Sequence, residues 1–428
     1  MKQTARIIST YSADVMGVCS ALFELGGMTV MHDASGCNST YTTHDEPRWY
    51  DMDSMVFISG LSEIEAIMGD DEKLIGDICD AASELHPEFI AIAGSPISAM
   101  TGFDYEAVAE VIELRTGIPA FGFPTTGMNT YIHGASMALA GIAKRFVEEP
   151  ERKKQVNDRE QESDSGDRGA SAPYKVNILG LTPLNFSIVG MDRSIEHWLE
   201  DNGFEVVSKW AMGSSLDEIR SAAEADVDLV VSASGIGAAE VLYERFGIPY
   251  IVGVPIGDQP AGQSPKAFLA SMLKKYAGNK RRKERGEGSD LSNKCMNVMT
   301  DVSRMYPQNE EAIAKGTVAI IGEPVTSLAL ATAIEAGTGR NTKVLCATET
   351  MGITLRPEDR LTPDEDDIIP ELADAAVIIA DPLYQPICPP EVKFIALPSE
   401  AFSGRIFRAD IPDLITEEGL AAILNKGV

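Results

Sequence analysis

Apolar residues in this chain come in short unbroken runs, each followed by a longer stretch with helical spacing. In the first third the runs are Met55–Ser59, Phe89–Ala93 and Ala120–Phe123. In the middle they are Lys175–Leu179, Phe204–Ser208, Asp228–Ser232 and Tyr250–Val254. In the last third they are Thr317–Ile321, Lys343–Ala347, Ala375–Ala380 and Lys393–Leu397. Short runs that do not alternate with polar residues predict strands buried on both faces. Helical segments between them make the strands parallel, because only a crossover joins parallel neighbours. The pattern predicts an α/β fold of three Rossmann-like doubly wound domains, each built on a parallel sheet.

Two polar stretches divide the chain. Glu148 to Ala172 is nearly free of apolar residues and reads as a flexible linker. Gly278 to Asp290 carries the basic cluster Lys280-Arg281-Arg282-Lys283. The expected organisation is a first domain over 1–147, a linker over 148–172, a second domain over 173–290, a helical connector over 291–314 and a third domain over 315–428. An internal echo supports a repeated unit. Leu114-Arg-Thr-Gly-Ile-Pro119 and Glu244-Arg-Phe-Gly-Ile-Pro249 each end a helix at a glycine and enter a buried strand through Ile-Pro. Many helix-to-strand turns are written this way, so the echo carries weight only through its length.

Composition narrows the function. The net charge of −29 repels nucleic acid and anionic lipid, so neither is expected as a partner. No apolar run approaches the roughly 20 residues of a membrane span, and the N-terminus offers no signal-peptide core, so a cytoplasmic protein is expected. The six cysteines form no CxxC pair, which argues against a disulfide framework and against a zinc ribbon. No Walker A sequence occurs, and Ser234-Gly-Ile-Gly237 lacks a full dinucleotide fingerprint, so neither ATP nor NAD is expected.

The densest chemistry is the segment Met31-His-Asp-Ala-Ser-Gly-Cys37 through His44-Asp-Glu-Pro-Arg-Trp49. It gathers a thiol, two imidazoles, carboxylates and hydroxyls in one glycine-containing loop beside a strand, where α/β proteins place their sites. Each residue also has an ordinary reading. Cys37 can be a small buried group in a turn. Cys19 can lie on the core face of a helix with Val15 and Phe23. Ser95 can cap the helix that Pro96 begins. The run His44–Trp49 can anchor an anionic substrate or form a solvated, salt-bridged turn.

These residues carry a resemblance. Cys19–Cys37, closing on His32-Asp-Ala-Ser-Gly-Cys37, resembles the segment before the second cluster cysteine of the nitrogenase component 1 superfamily. That group includes molybdenum-iron protein subunits, their cofactor-assembly scaffold and dark-operative protochlorophyllide reductase subunits. Pro124-Thr-Thr-Gly127, Ala233-Ser-Gly-Ile-Gly237 through Ile248-Pro249, and Val318-Ala-Ile-Ile-Gly322 are similar to later segments of the same group, so the resemblance covers nearly the whole chain.

The resemblance implies a subunit of a nitrogenase-like reductase. An iron protein would dock on the first domain, and electrons would reach a substrate in the cleft between domains through an interface iron–sulfur cluster. A second component 1-like subunit, or a second copy of the chain, would share that cluster. Cys37 and Cys19 are the candidate metal ligands, with Ser95, His32 and His44 the other cofactor-binding candidates. The departures matter equally. The first cluster cysteine would fall near Tyr11-Ser12, the third at Ser95, and the cofactor cysteine near Ser232–Ser234, and none of these is cysteine. Partner-supplied thiolates, a metal-cofactor scaffold or carrier without turnover, and a cluster-free tetrapyrrole- or sugar-binding module all remain open.

Overall fold

The computed structural model describes residues 5–7, 10–34, 36, 46–150, 172–257, 264–285, 295–297 and 310–428. Three all-parallel sheets organise them. The first comprises β1 (Met28–His32), β2 (Met55–Ile58), β3 (Ile90–Gly94) and β4 (Ala120–Phe123), in the order β2-β1-β3-β4. The second comprises β5 (Tyr174–Leu179), β6 (Phe204–Trp210), β7 (Val227–Val230), β8 (Tyr250–Val252) and β9 (Cys295–Asn297), in the order β6-β5-β7-β8-β9. The third comprises β10 (Thr317–Gly322), β11 (Thr342–Cys346), β12 (Arg360–Leu361), β13 (Ala375–Ala380) and β14 (Lys393–Ala396), in the order β12-β11-β10-β13-β14. The strand order reverses between β1 and β3, between β5 and β7, and between β10 and β13. Each domain therefore has one switch point, where ligands of open α/β sheets bind.

Three elements differ from the reading of the sequence. The central strand β1 lies just past the Gly26-Gly27 break, where the apolar run of the preceding helix hides its start. Gly27 is required there, since a Cβ would come within 2.2 Å of the Phe89 ring. Strand β9 pairs with β8, so the second sheet reaches into the expected helical connector. The basic cluster is not loop but the last turn of the helix Pro265–Glu284. Cations suit a helix C-terminus, and Arg281 is held there by Asp226 at 2.6 Å and by the Tyr174 ring at 4.5 Å. The expected linker lies outside the described residues except at its ends.

The helices Asp14–Leu22 and Tyr131–Phe146 cross in backbone contact. A Cβ on Gly17 would meet the Tyr131 carbonyl at 2.0 Å, and one on Gly134 would meet that of Asp14 at 1.8 Å. This close crossing brings the start of Tyr131–Phe146 to the centre of the molecule. Among the described residues, no helix is long and apolar enough to cross a membrane.

Candidate functional site

The carboxyl ends of the strands present two polar places. The first is the switch point of the first domain. Ser95 follows β3 and caps the helix Pro96–Thr101 in a box with Ser98. Its hydroxyl donates to the His32 carbonyl at the end of β1, at 2.9 Å. The His32 ring is buried beside Phe103, its Nδ1 2.9 Å from Ser59 Oγ, and burial pulls its pKa down to about 4. His32 is thus a neutral imidazole at ordinary pH. Ser95 touches the base of the His32–Cys37 loop at His32. Cys37 and His44 themselves lie outside the described residues.

Cys19 lies elsewhere. It sits in the middle of the helix Asp14–Leu22, fully enclosed in the hydrophobic core, and burial pushes its thiol well above the usual range. A thiolate, the form that binds metal, is disfavoured there. Arg48 answers the question left open for the segment ending at Trp49. It is neither solvated nor open to a substrate. Its guanidinium is buried on Glu46 at 2.6 Å and Glu24 at 2.8 Å, and donates to the carbonyls of Ser20 and Ala211. It ties the far end of the loop to the first helix and to the second domain. His197 is exposed on a helix surface beside Glu200.

The second place is the junction of the three domains. Thr130 and Tyr131, from the first, meet Glu349 of the third and Asn185 of the second: the Thr130 amide donates to Glu349 at 2.9 Å, and the Tyr131 hydroxyl donates to Asn185 Oδ1. Glu323 ends β10, caps the helix Pro324–Thr338 through the Thr326 amide, and accepts the Ala233 amide from the second domain at 2.8 Å. Burial raises its pKa against those donors. Asp381 ends β13 and accepts from the amides of Leu383 and Ser399 and the Ser403 hydroxyl. Ser232 ends the second domain's switch point, donating to the Gly180 carbonyl at 2.7 Å. A 60 Å³ space lies here, lined by Asn185, Glu323 and Asp381 among apolar side chains. Asn185 lines it, and the buried Nδ2 of that side chain has no hydrogen-bond partner among the described residues.

Sequence reasoning named Ser95 as a candidate, noted Ser232–Ser234 only as a place without the expected cysteine, and missed Glu323, Asn185 and Asp381. The signal available was positional: Glu323 and Asp381 each follow an apolar strand and cap a helix, and Asn185 lies in the short helix that follows β5. The donor set is oxygen-rich. Among the described residues no three of His, Cys, Asp and Glu converge as a metal site. Cys19, Cys79, Cys346 and Cys388 are unbonded and scattered among different elements. Soft thiolates are what iron–sulfur clusters require, so the described residues do not by themselves fit such a cluster.

Residues 14–374 match the family model described as nitrogenase component 1 type oxidoreductase. The chain is 24% identical over 279 residues to the nitrogenase iron-molybdenum cofactor biosynthesis protein NifE of Methanosarcina barkeri, covering 64% of this chain and 55% of that protein. It is 26% identical over 260 residues to a subunit of the light-independent protochlorophyllide reductase of Pelodictyon phaeoclathratiforme, covering 58% and 43%. The chain thus spans about half the length of the curated relatives it matches, or less. A solved structure of nitrogenase Cp1 at pH 6.5 superposes over 100% of this chain and 94% of its own, with a TM-score of 0.66 at 16% identity. The three-sheet fold is therefore shared, and the family match covers most of the sequence. The chain belongs to the nitrogenase component 1 type oxidoreductase family.

Proposed function

We propose that the chain is the cysteine-poor subunit of a nitrogenase-like reductase, docking an electron-donating iron protein on its first domain and holding a substrate at the three-domain junction. The observation that supports this most is a bare apolar face. The helix Glu63–Met68 has no buried residue, and Ile64, Ile67 and Met68 are 74%, 82% and 73% exposed. Phe57, on the edge strand β2, and Met100, on a neighbouring helix, are exposed as well. Apolar side chains gathered on one surface mark protein contacts. The face belongs to the domain whose switch point carries the base of the Cys37 loop.

In this reading the redox group belongs to the assembly, and most of its thiolates come from the partner subunit. Cys37 is the one matching cysteine that this chain retains. What the chain's described residues supply is positioning: the amide donor of Asn185, which the Tyr131 hydroxyl orients, and the buried carboxyls of Glu323 and Asp381. A second reading, a scaffold that holds a metal cofactor without turnover, draws support from the relatives named as cofactor biosynthesis proteins.

The test is the double variant Ile67→Asp with Met68→Asp, compared with the parent for association with a co-expressed iron protein under anaerobic conditions. Association should fall at least tenfold while the melting temperature holds, since both side chains are exposed. Unchanged association would overturn the docking reading. Association without any turnover by the complete assembly would favour the scaffold.

A further inference from the structure

A second, larger cavity lies on the third domain, separate from the first place and sharing one wall residue with the second. It is an open groove of 920 Å³ between the N-terminal segment on one side and the stretches 382–386 and 402–407 on the other. Its wall is fixed. The amides of Arg6 and Ile7 both donate to Glu365 Oε2, at 2.7 and 3.2 Å, and Ile7 is buried in the third domain's core. Its floor is apolar, built on Leu383, Phe402 and Phe407, with Ile406 projecting 75% exposed at the rim.

Two arginines line this groove, Arg6 and Arg405. Neither has a carboxylate partner among the described residues. The contrast with Arg408 is direct, because that side chain is spent on the buried Glu400. The chain carries 65 acidic residues against 36 lysines and arginines, so cationic side chains are the minority charge. Two arginines without a carboxylate partner in a single apolar groove gather positive charge on a chain whose net charge is −29. Small-molecule sites have this composition and size: mostly apolar walls with a few placed polar groups, in about 300–1,000 Å³. Arginine forks match carboxylates in particular.

We propose that this groove binds an amphipathic organic anion, an apolar body carrying carboxylate. The apolar part lies against Leu383, Phe402 and Phe407, and the carboxylate reaches Arg6 and Arg405. Phe402 also lines the small space at the domain junction, so it forms the partition between the two cavities. The proposal stands independently of the reductase reading, since it uses none of the residues assigned to docking or to the junction pocket's polar groups.

The test uses the full chain and two fluorescent probes, 1-pyrenebutyrate and its uncharged alcohol. The parent should bind the acid more tightly than the alcohol by about tenfold or more, as charge-assisted hydrogen bonds dictate. Arg6→Gln with Arg405→Gln should abolish that preference while leaving the alcohol's affinity in place. Ile406→Asp should weaken both probes. Equal affinity for acid and alcohol in the parent would overturn the proposal, as would a preference that survives the double variant. A change of oligomeric mass in the double variant, with probe binding unaltered, would reassign the groove to a protein contact and overturn it too. All these side chains are exposed or at the rim, and thermal melts should confirm that the variants fold.

Discussion

Ser95 and Ser232 repeat one arrangement in two domains. Each follows the strand just past its sheet's switch point, and each hydroxyl donates to a carbonyl at the end of the neighbouring strand: His32 for Ser95, Gly180 for Ser232. Both also stand where the family resemblance leads one to expect cysteine. The difference is in the local backbone. Ser95 caps a helix through the Ser98 amide, whereas Ser232 makes no side-chain cap. Ser95→Ala should therefore cost about 1–2 kcal/mol, and Ser232→Ala about 1 kcal/mol, in urea unfolding. Equal and negligible costs would show that neither hydroxyl locks its switch point.

Glu323 joins two domains with one carboxylate. Oε1 takes the Ala233 amide and Oε2 the Thr326 amide, so removing the side chain uncaps a long buried helix and strips a buried donor in the second domain. Glu323→Ala should cost about 2–3 kcal/mol. Glu323→Gln keeps one acceptor oxygen and should cost less. Chemical denaturation of both variants checks the order. An alanine variant as stable as the glutamine variant would remove the bridge from the account.

Much of this fold is legible in the sequence because parallel strands covered on both faces are written as unbroken apolar runs. Ala375–Ala380 and Ala120–Phe123 match their strands residue for residue. Strand β1 is hidden because Met28–His32 follows an apolar helix with only the short turn Phe23–Gly27, itself partly apolar, between them. β9 and β12 are hidden because strands of three and two residues leave no pattern. The base of the first candidate place is visible as a serine before proline after a strand. The junction is not, since Thr130, Asn185, Glu323 and Glu349 come from distant parts of the chain and ordinary strand ends. Arg48 is the most misleading residue: an arginine among carboxylates in a loop looks solvated, and only the fold buries it.

Asp228 offers a pH test. It lies fully buried in β7, accepting from Asn177 Nδ2 at 2.7 Å, with its second oxygen unpartnered among the described residues. Burial pushes its pKa from 3.8 up to about 8, against smaller opposing effects from Asn177 and Lys280. From about pH 4 to about 8 the folded state keeps this proton and the unfolded state releases it. Stability from this group therefore falls as pH rises through that window and levels off above about 8. Asp228→Asn cannot ionise and keeps an acceptor for Asn177. Its melting temperature relative to the parent should climb from pH 5 to pH 8. A constant difference across that range would mean that Asp228 is not protonated in the folded protein.

Cys19 and Cys37 should separate cleanly in experiment. Cys19 is enclosed on a core face with its thiol held protonated, so iodoacetamide should not label it in the native protein. Cys19→Ala removes only a small group and should cost about 1 kcal/mol, whereas Cys19→Ser buries a hydroxyl among apolar neighbours and should cost about 1–3 kcal/mol. Neither change should alter the iron content of an anaerobically purified assembly. Cys37→Ala should lower that content without a comparable loss of stability, because in the proposed reading Cys37 is the one cysteine of this chain that matches the family's cluster motif. Iron per subunit, counted beside a melt of each variant, distinguishes the two cysteines. Iron lost on changing Cys19 but retained on changing Cys37 would invert the assignment, and iron indifferent to both would leave the scaffold reading as the better account of this chain.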